Sequence, residues 1–178
     1  MILTREEGWS EVKVGRIFNS SDCIHVEEKP GWISNSQYTA YLASYKPFTE
    51  TMEHLLDKHG RLDGRLVFIS EGATWIKNWI EDAFPDAVSI LDYYHVCEHL
   101  HEFSKTVFSD KGKEKIWTTK QKQWLLEGKT ATVIKNIKRI GKNSKEAQEL
   151  INYYTTNKDR MNYWQYQKIE CGIIGPVL

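Results

Sequence analysis

Residues 66–76 read LVFISEGATWI: an apolar run stops at Ser70, a carboxylate follows at Glu71, and an apolar pattern of helical spacing begins at Trp75. A carboxylate at such a handover has two readings. As part of a helix N-terminus, the acid interacts favourably with the macrodipole and Gly72 eases the turn. As a metal ligand, it sits at the carboxyl end of a sheet strand, where open α/β folds place their sites. The densest chemical stretch is ILDYYHVCEHLHEF (90–103), with Asp92 closing a second short apolar run and His95, Cys97, Glu98, His99 and His101 behind it. His95 and His99 share one helical face with Glu98 nearby, while Cys97 and His101 share another. Zinc needs three or four converging ligands, which two helical faces do not supply by themselves. H-x-x-x-H also lacks the glutamate of H-E-x-x-H. A metal-binding protein built on this His/Cys cluster stands as one alternative.

The elements that must position these residues follow from periodicity. WSEVKVGRIF (9–18) alternates as a half-buried antiparallel strand, and SQYTAYLAS (36–44) is a second strand candidate. The polar segment between them, with Pro30-Gly31, reads as a loop or a wide hairpin. Phe48, Met52, Leu55 and Leu56 fall on one face of a helix over 47–59, closed by Gly60. RLVFIS (65–70) and AVSILD (87–92) are short apolar runs of buried-strand type, separated by a helix carrying Trp75, Ile76, Trp79, Ile80 and Phe84. A helix over 94–108 comes next, then helices with charged faces over 112–160 and an extended tail. The order implies a mixed α/β sheet with helices on both faces, and two of its strands end in acids.

At 178 residues the chain is long enough to bury a core, and seven Trp and nine Tyr exclude a disordered tail. No apolar run is long enough to span a bilayer, and the polar start MILTREEGW carries no signal peptide, so no membrane partner is expected. Cys23, Cys97 and Cys171 are odd in number and far apart, which points to reduced thiols and a cytoplasmic location. Net charge is zero but unevenly spread. Residues 1–104 hold nine Lys/Arg against seventeen Asp/Glu, a net of −8, whereas residues 105–145 hold twelve against three, a net of +9. An acidic half followed by a basic block suits a carboxylate site beside a polyanion-binding surface, although a solvated helical surface has the same composition.

Three landmarks, GWSEVKVGRIF, VFISEGATWIKNWIEDAFPDAVSILDYYHVCEHL and YYTTNKDRMNYWQYQKIECGIIG, resemble successive segments of bacterial insertion-sequence transposases of the ISKra type or a close relative. The resemblance covers nearly the whole chain. It implies a DDE catalytic core on the ribonuclease H-like fold, in which three carboxylates hold two Mg²⁺ or Mn²⁺ ions for DNA cleavage and strand transfer. The family's second carboxylate maps onto Glu71, with Glu in place of Asp, making Glu71 both the catalytic and the metal residue. Asp92 and His95 match an accessory D-x-x-H motif that orients DNA or the site. The first family Asp would fall just before Met1 and the last Glu beyond Leu178, so the resemblance implies a fragment truncated at both ends and inactive as this chain, since one remaining carboxylate cannot clamp two metals. It further implies a partial core over 1–108, a basic helical insertion over 109–160 and a return segment over 161–178. Lys129, Lys135, Lys138, Arg139 and Lys142 would then track DNA phosphates, with DNA and further copies of the chain as partners. A non-catalytic DNA-binding remnant is the other alternative.

Overall fold

The computed structural model describes residues 2–4, 8–26, 29–42, 44–58 and 65–168. The chain divides between Arg65 and Leu66 into two compact units.

In the first unit, β1 (Ile2–Thr4) pairs antiparallel with β2 (Gly8–Ser10). The alternating stretch continues as β3 (Val12–Ile17), which pairs antiparallel with β6 (Gln37–Leu42) from Val12↔Leu42 to Ile17↔Gln37. Between them, β4 (Cys23–Val26) and β5 (Lys29–Ile33) form a local antiparallel hairpin. Helix α1 (Tyr45–Lys58) buries Phe48, Thr49 and Met52. It packs so closely on β3 that a Cβ at Gly15 would stand 2.4 Å from the Met52 sulfur, so any side chain there would require the Met52 side chain to shift.

The second unit opens with β7 (Val67–Ser70), crosses through α2 (Thr74–Ala83), and returns as β8 (Val88–Leu91). The two strands are parallel and in register from Val67↔Val88 to Ser70↔Leu91. Phe68, Trp79 and Phe84 form an aromatic trio with centroids 5.0–5.8 Å apart, which seats α2 on β7. There follow α3 (Tyr93–Val107), α4 (Lys111–Leu126), α5 (Thr130–Gly141), α6 (Lys145–Thr156), a single 3-10 turn (Lys158–Arg160) and α7 (Tyr163–Lys168). Side-chain caps start three of these helices. Asp92 accepts from the Tyr94 N–H, Asp110 from Gly112 and Lys113, and Ser144 from Ala147, each satisfying N–H groups that have no partner within the helix.

The core of this unit joins Ile90 and Leu91 of β8 to Val96, Leu100 and Phe103 of α3, Leu125 of α4, Val133 and Ile137 of α5, and Leu150 and Tyr154 of α6. Its buried tyrosines are tied off: Tyr154 Oη donates to the Val96 carbonyl at 2.9 Å and Tyr163 Oη to the Leu91 carbonyl at 3.0 Å. The second bond fixes the end of β8, one residue before Asp92.

The chain is thus mixed α/β. The expected single sheet is not what the described residues form: they make four separate two-stranded ladders, and β7 is half-buried along its length, not fully covered. Apolar periodicity sets which residues can be extended, but partner choice depends on which edges meet. The tail over 171–178, expected to be extended, lies outside the described residues.

Candidate active site at the strand ends

Glu71 and Asp92 come off neighbouring strands at the same level. Each follows the last register pair, Ser70↔Leu91, and the Asp92 N–H donates to the Ser70 carbonyl at 2.9 Å. Adjacent strands lie about 4.8 Å apart, which sets the distance between the points where the two acids leave the sheet. Glu71 is exposed and Asp92 is partly covered. One oxygen of Asp92, Oδ1, is held by the Tyr94 N–H at 2.8 Å. The two readings of a strand-end acid are therefore divided between two residues: Asp92 caps the helix it precedes, whereas α2 starts at Thr74 without a side-chain cap and Glu71 takes no capping role.

Arg160 staples the floor beneath these acids. Its Nε donates to Ser89 Oγ at 3.0 Å and its Nη2 to Ser70 Oγ, joining β8 to β7, while Nη1 reaches Asn157 Oδ1 at 3.3 Å. Burial lowers its pKa from a value so high that the guanidinium stays charged, and thus puts a fixed cation under the strand ends.

His95 stands on the first turn of α3. Its Nδ1 lies 3.3 Å from Glu98 Oε2, and its Nε2 lies 3.3 Å from Nε2 of His99. The His99 ring packs 4.5 Å from the ring of Tyr153 on α6. Tyr153 in turn is wedged against Gly72, where an added Cβ would stand 2.2 Å from Cε2 and 2.7 Å from the hydroxyl. The hydroxyl lies against the Gly72 backbone without reaching hydrogen-bond geometry. Burial, with Glu71 and Asp92 adding to it against the opposing pull of Arg160, pushes its pKa up to about 12. Burial and then the neighbouring His95 lower the pKa of His99, favouring a neutral ring. A continuous row, Glu98–His95–His99–Tyr153, thus runs from the surface to the glycine that follows Glu71. The two imidazole nitrogens stand at hydrogen-bonding distance, with donor and acceptor set by the ring tautomers.

The structure brings Glu71 and Asp92 to neighbouring strand ends, with His95 on the first turn of the helix that Asp92 caps. It separates the rest of the His/Cys cluster: Cys97 is buried with its thiol pushed up to about 11 by burial, and His101 turns to Glu114 at 3.5 Å. Among the described residues no three His, Cys, Asp or Glu side chains converge on a point that could hold a metal. Sequence reasoning missed Tyr153, Arg160 and the role of His99. The first two lie within the third landmark, YYTTNKDRMNYW, and that was their only signal.

The basic residues divide as well. Lys129 precedes α5 and pairs with Glu127. Lys135, Lys138 and Arg139 form an exposed stripe on α5, continued by Lys142 in a left-handed conformation (φ 46°), and none of the four has an ion-pair partner among the described residues. No helix of the described residues is long and apolar enough to cross a membrane.

Neither curated proteins nor solved structures gave a match. A family model described as a transposase, that of the ISL3-type DDE enzymes, matches residues 49–169, about two-thirds of the chain and all of the strand-end site. This chain belongs to the ISL3-type DDE transposase family.

Proposed function

We propose that the strand-end platform of Glu71, Asp92 and His95 is the reaction edge of a DDE-type transposase acting on insertion-sequence DNA, on a ribonuclease H-like core of the ISKra type or a close relative of it. The observation that carries this reading is the emergence of Glu71 and Asp92 side by side from parallel strands in register. The β7–α2–β8–α3 order is the fragment of a ribonuclease H-like core that such a reading requires.

Donor type and donor number point different ways for the metals. Carboxylate oxygens suit Mg²⁺ or Mn²⁺. Two such ions, where present, activate the attacking oxygen and stabilise the leaving one. The described residues supply only two adjacent carboxylates, and one oxygen of Asp92 is already committed to its helix. That set does not fit a two-ion clamp, so no step is derived through one. The chain's own residues do the following. Asp92 fixes the start of α3, Glu98 and His99 fix the His95 ring, and Arg160 holds the two strand ends together beneath the acids. The basic stripe of Lys135, Lys138, Arg139 and Lys142 contacts DNA phosphates, with Lys129 at its edge.

On this reading the chain binds duplex DNA with strong salt dependence and does not nick it unaided. Replacing Lys135, Lys138 and Lys142 by Gln should flatten the plot of log affinity against log salt by about 0.9 per phosphate contact removed. Plasmid cleavage in Mg²⁺ that vanishes in Glu71→Ala would refute the non-cleaving part. Salt-insensitive binding would refute the phosphate stripe.

A further inference from the structure

A cleft of about 390 Å³ opens on the second unit between α4 and α5, lined by Lys113, Ile116, Trp117, Lys120, Trp124 and Arg139 among others. Its origin is readable in α4. Glu114, Thr118, Gln121 and Leu125 repeat at helical spacing and are buried, while Lys113, Trp117, Lys120 and Trp124 repeat on a face about a quarter-turn away. On that second face Trp117 and Trp124 are only partly buried, and Ile116 beside it is left 74 % exposed. The floor is set by Asn136 of α5, whose amide donates to Gln121 Oε1 at 3.1 Å, and by Phe103 and Phe108, whose rings pack 6.1 and 5.7 Å from Trp117.

Three features identify what the cleft would take. No carboxylate lines it, and its three cations have no ion-pair partner among the described residues. The ligand is therefore anionic. Lys120 lies over the Trp124 ring at 4.9 Å, so its ammonium stands on an indole face that an incoming base would share or take from it. The volume lies within the range of small-molecule sites, about 300–1,000 Å³, and so admits a planar ring but not a duplex. Aromatic platforms ringed by cations bind single-stranded nucleic acid, because an unpaired base offers the π-face that a duplex hides.

We propose that this cleft binds an unstacked base of single-stranded DNA, with Trp124 as the stacking platform and Lys113, Lys120 and Arg139 on the flanking phosphates. The proposal rests on the DNA-handling reading above and adds a strand-selective site that shares Arg139 with the Lys135–Lys142 stripe.

The test uses the full chain and fluorescence anisotropy with three probes: a short oligothymidylate, the same strand with abasic residues at its centre, and a blunt duplex of equal length. The unmodified protein should prefer oligothymidylate over the abasic strand about tenfold, within the range one stacked base supplies. Trp124→Ala should bring those two strands to parity, Trp124→Phe should keep the preference, and duplex affinity should stay unchanged in both. Equal binding of the intact and abasic strands by the unmodified protein overturns the proposal, and this arm needs no variant to fold. It is also overturned if Trp124→Ala keeps the preference, or if polyglutamate displaces oligothymidylate as well as unlabelled oligothymidylate does. Duplex binding with no base preference sinks this proposal alone. A base preference with no binding of duplex sinks the duplex-DNA reading and leaves this one standing.

Discussion

Gly72→Ala probes the junction on which the site is built. Gly72 does not have a positive φ, so alanine meets no backbone strain there. The obstacle is Tyr153: the new Cβ would lie 2.2 Å from Cε2, 2.7 Å from Oη and 2.8 Å from Cζ. Ordinary carbon contacts are about 3.5–4.0 Å, so the ring or the strand end must move by more than about 1 Å. The ring cannot retreat freely, because His99 packs against it at 4.5 Å and Tyr154 at 6.0 Å. Forced overpacking of this kind costs about 1–3 kcal/mol. Urea unfolding followed by far-UV circular dichroism is the assay; six of the seven α-helices among the described residues lie in the second unit, so the signal reports on it. Tyr153→Ala opens the space, and in that background Gly72→Ala should be neutral or stabilising by about 0.4–1 kcal/mol through the unfolded chain. If Gly72→Ala is within 0.5 kcal/mol of the unmodified protein, about the noise of such comparisons, or carries the same penalty in both backgrounds, the wedge is not there.

Two further outcomes follow from the same edge. His99 has a lowered pKa when folded, through burial and then His95, so the unfolded chain binds more protons as pH falls through about 6.5. Stability present above that pH is therefore lost on acidification toward the folded pKa, and His99→Gln should flatten this part of the urea-midpoint profile; an unchanged slope would refute the assignment. Tyr163→Phe removes the bond to the Leu91 carbonyl and should cost about 0.5–1.5 kcal/mol with an unchanged m-value. It should also raise amide exchange at Asp92, and no change at that amide would show that the bond does not hold the strand end.

The two carboxylates were legible because strand-end acids break an apolar run: LVFIS stops at Glu71 and VSIL at Asp92, and the structure ends β7 and β8 within a residue of each. The paired histidines were legible from their spacing of four, which the helix turns into nitrogens 3.3 Å apart. Arg160 and Tyr153 were not legible, because their partners lie about fifty to ninety residues away. Nothing in KDRMNYW distinguishes a buried arginine from the many exposed ones. The cleft was hidden for a related reason. Trp117, Trp124 and Leu125 are all apolar positions of α4, yet Leu125 is fully buried while the two indoles are only partly covered.

The sequence by itself determined the local elements and their chemistry. Periods of two and 3.6, the acids and glycines at run ends and the caps at Asp92, Asp110 and Ser144 act within a few residues, where chain entropy is cheap to overcome and the pattern leaves few choices. Only the tertiary structure decided which strand edges meet, that Arg160 lies beneath two serines on different strands, and that a basic aromatic face stays only partly covered. Those outcomes depend on contacts between distant segments, and a periodic pattern states that a face is apolar without naming what will lie against it.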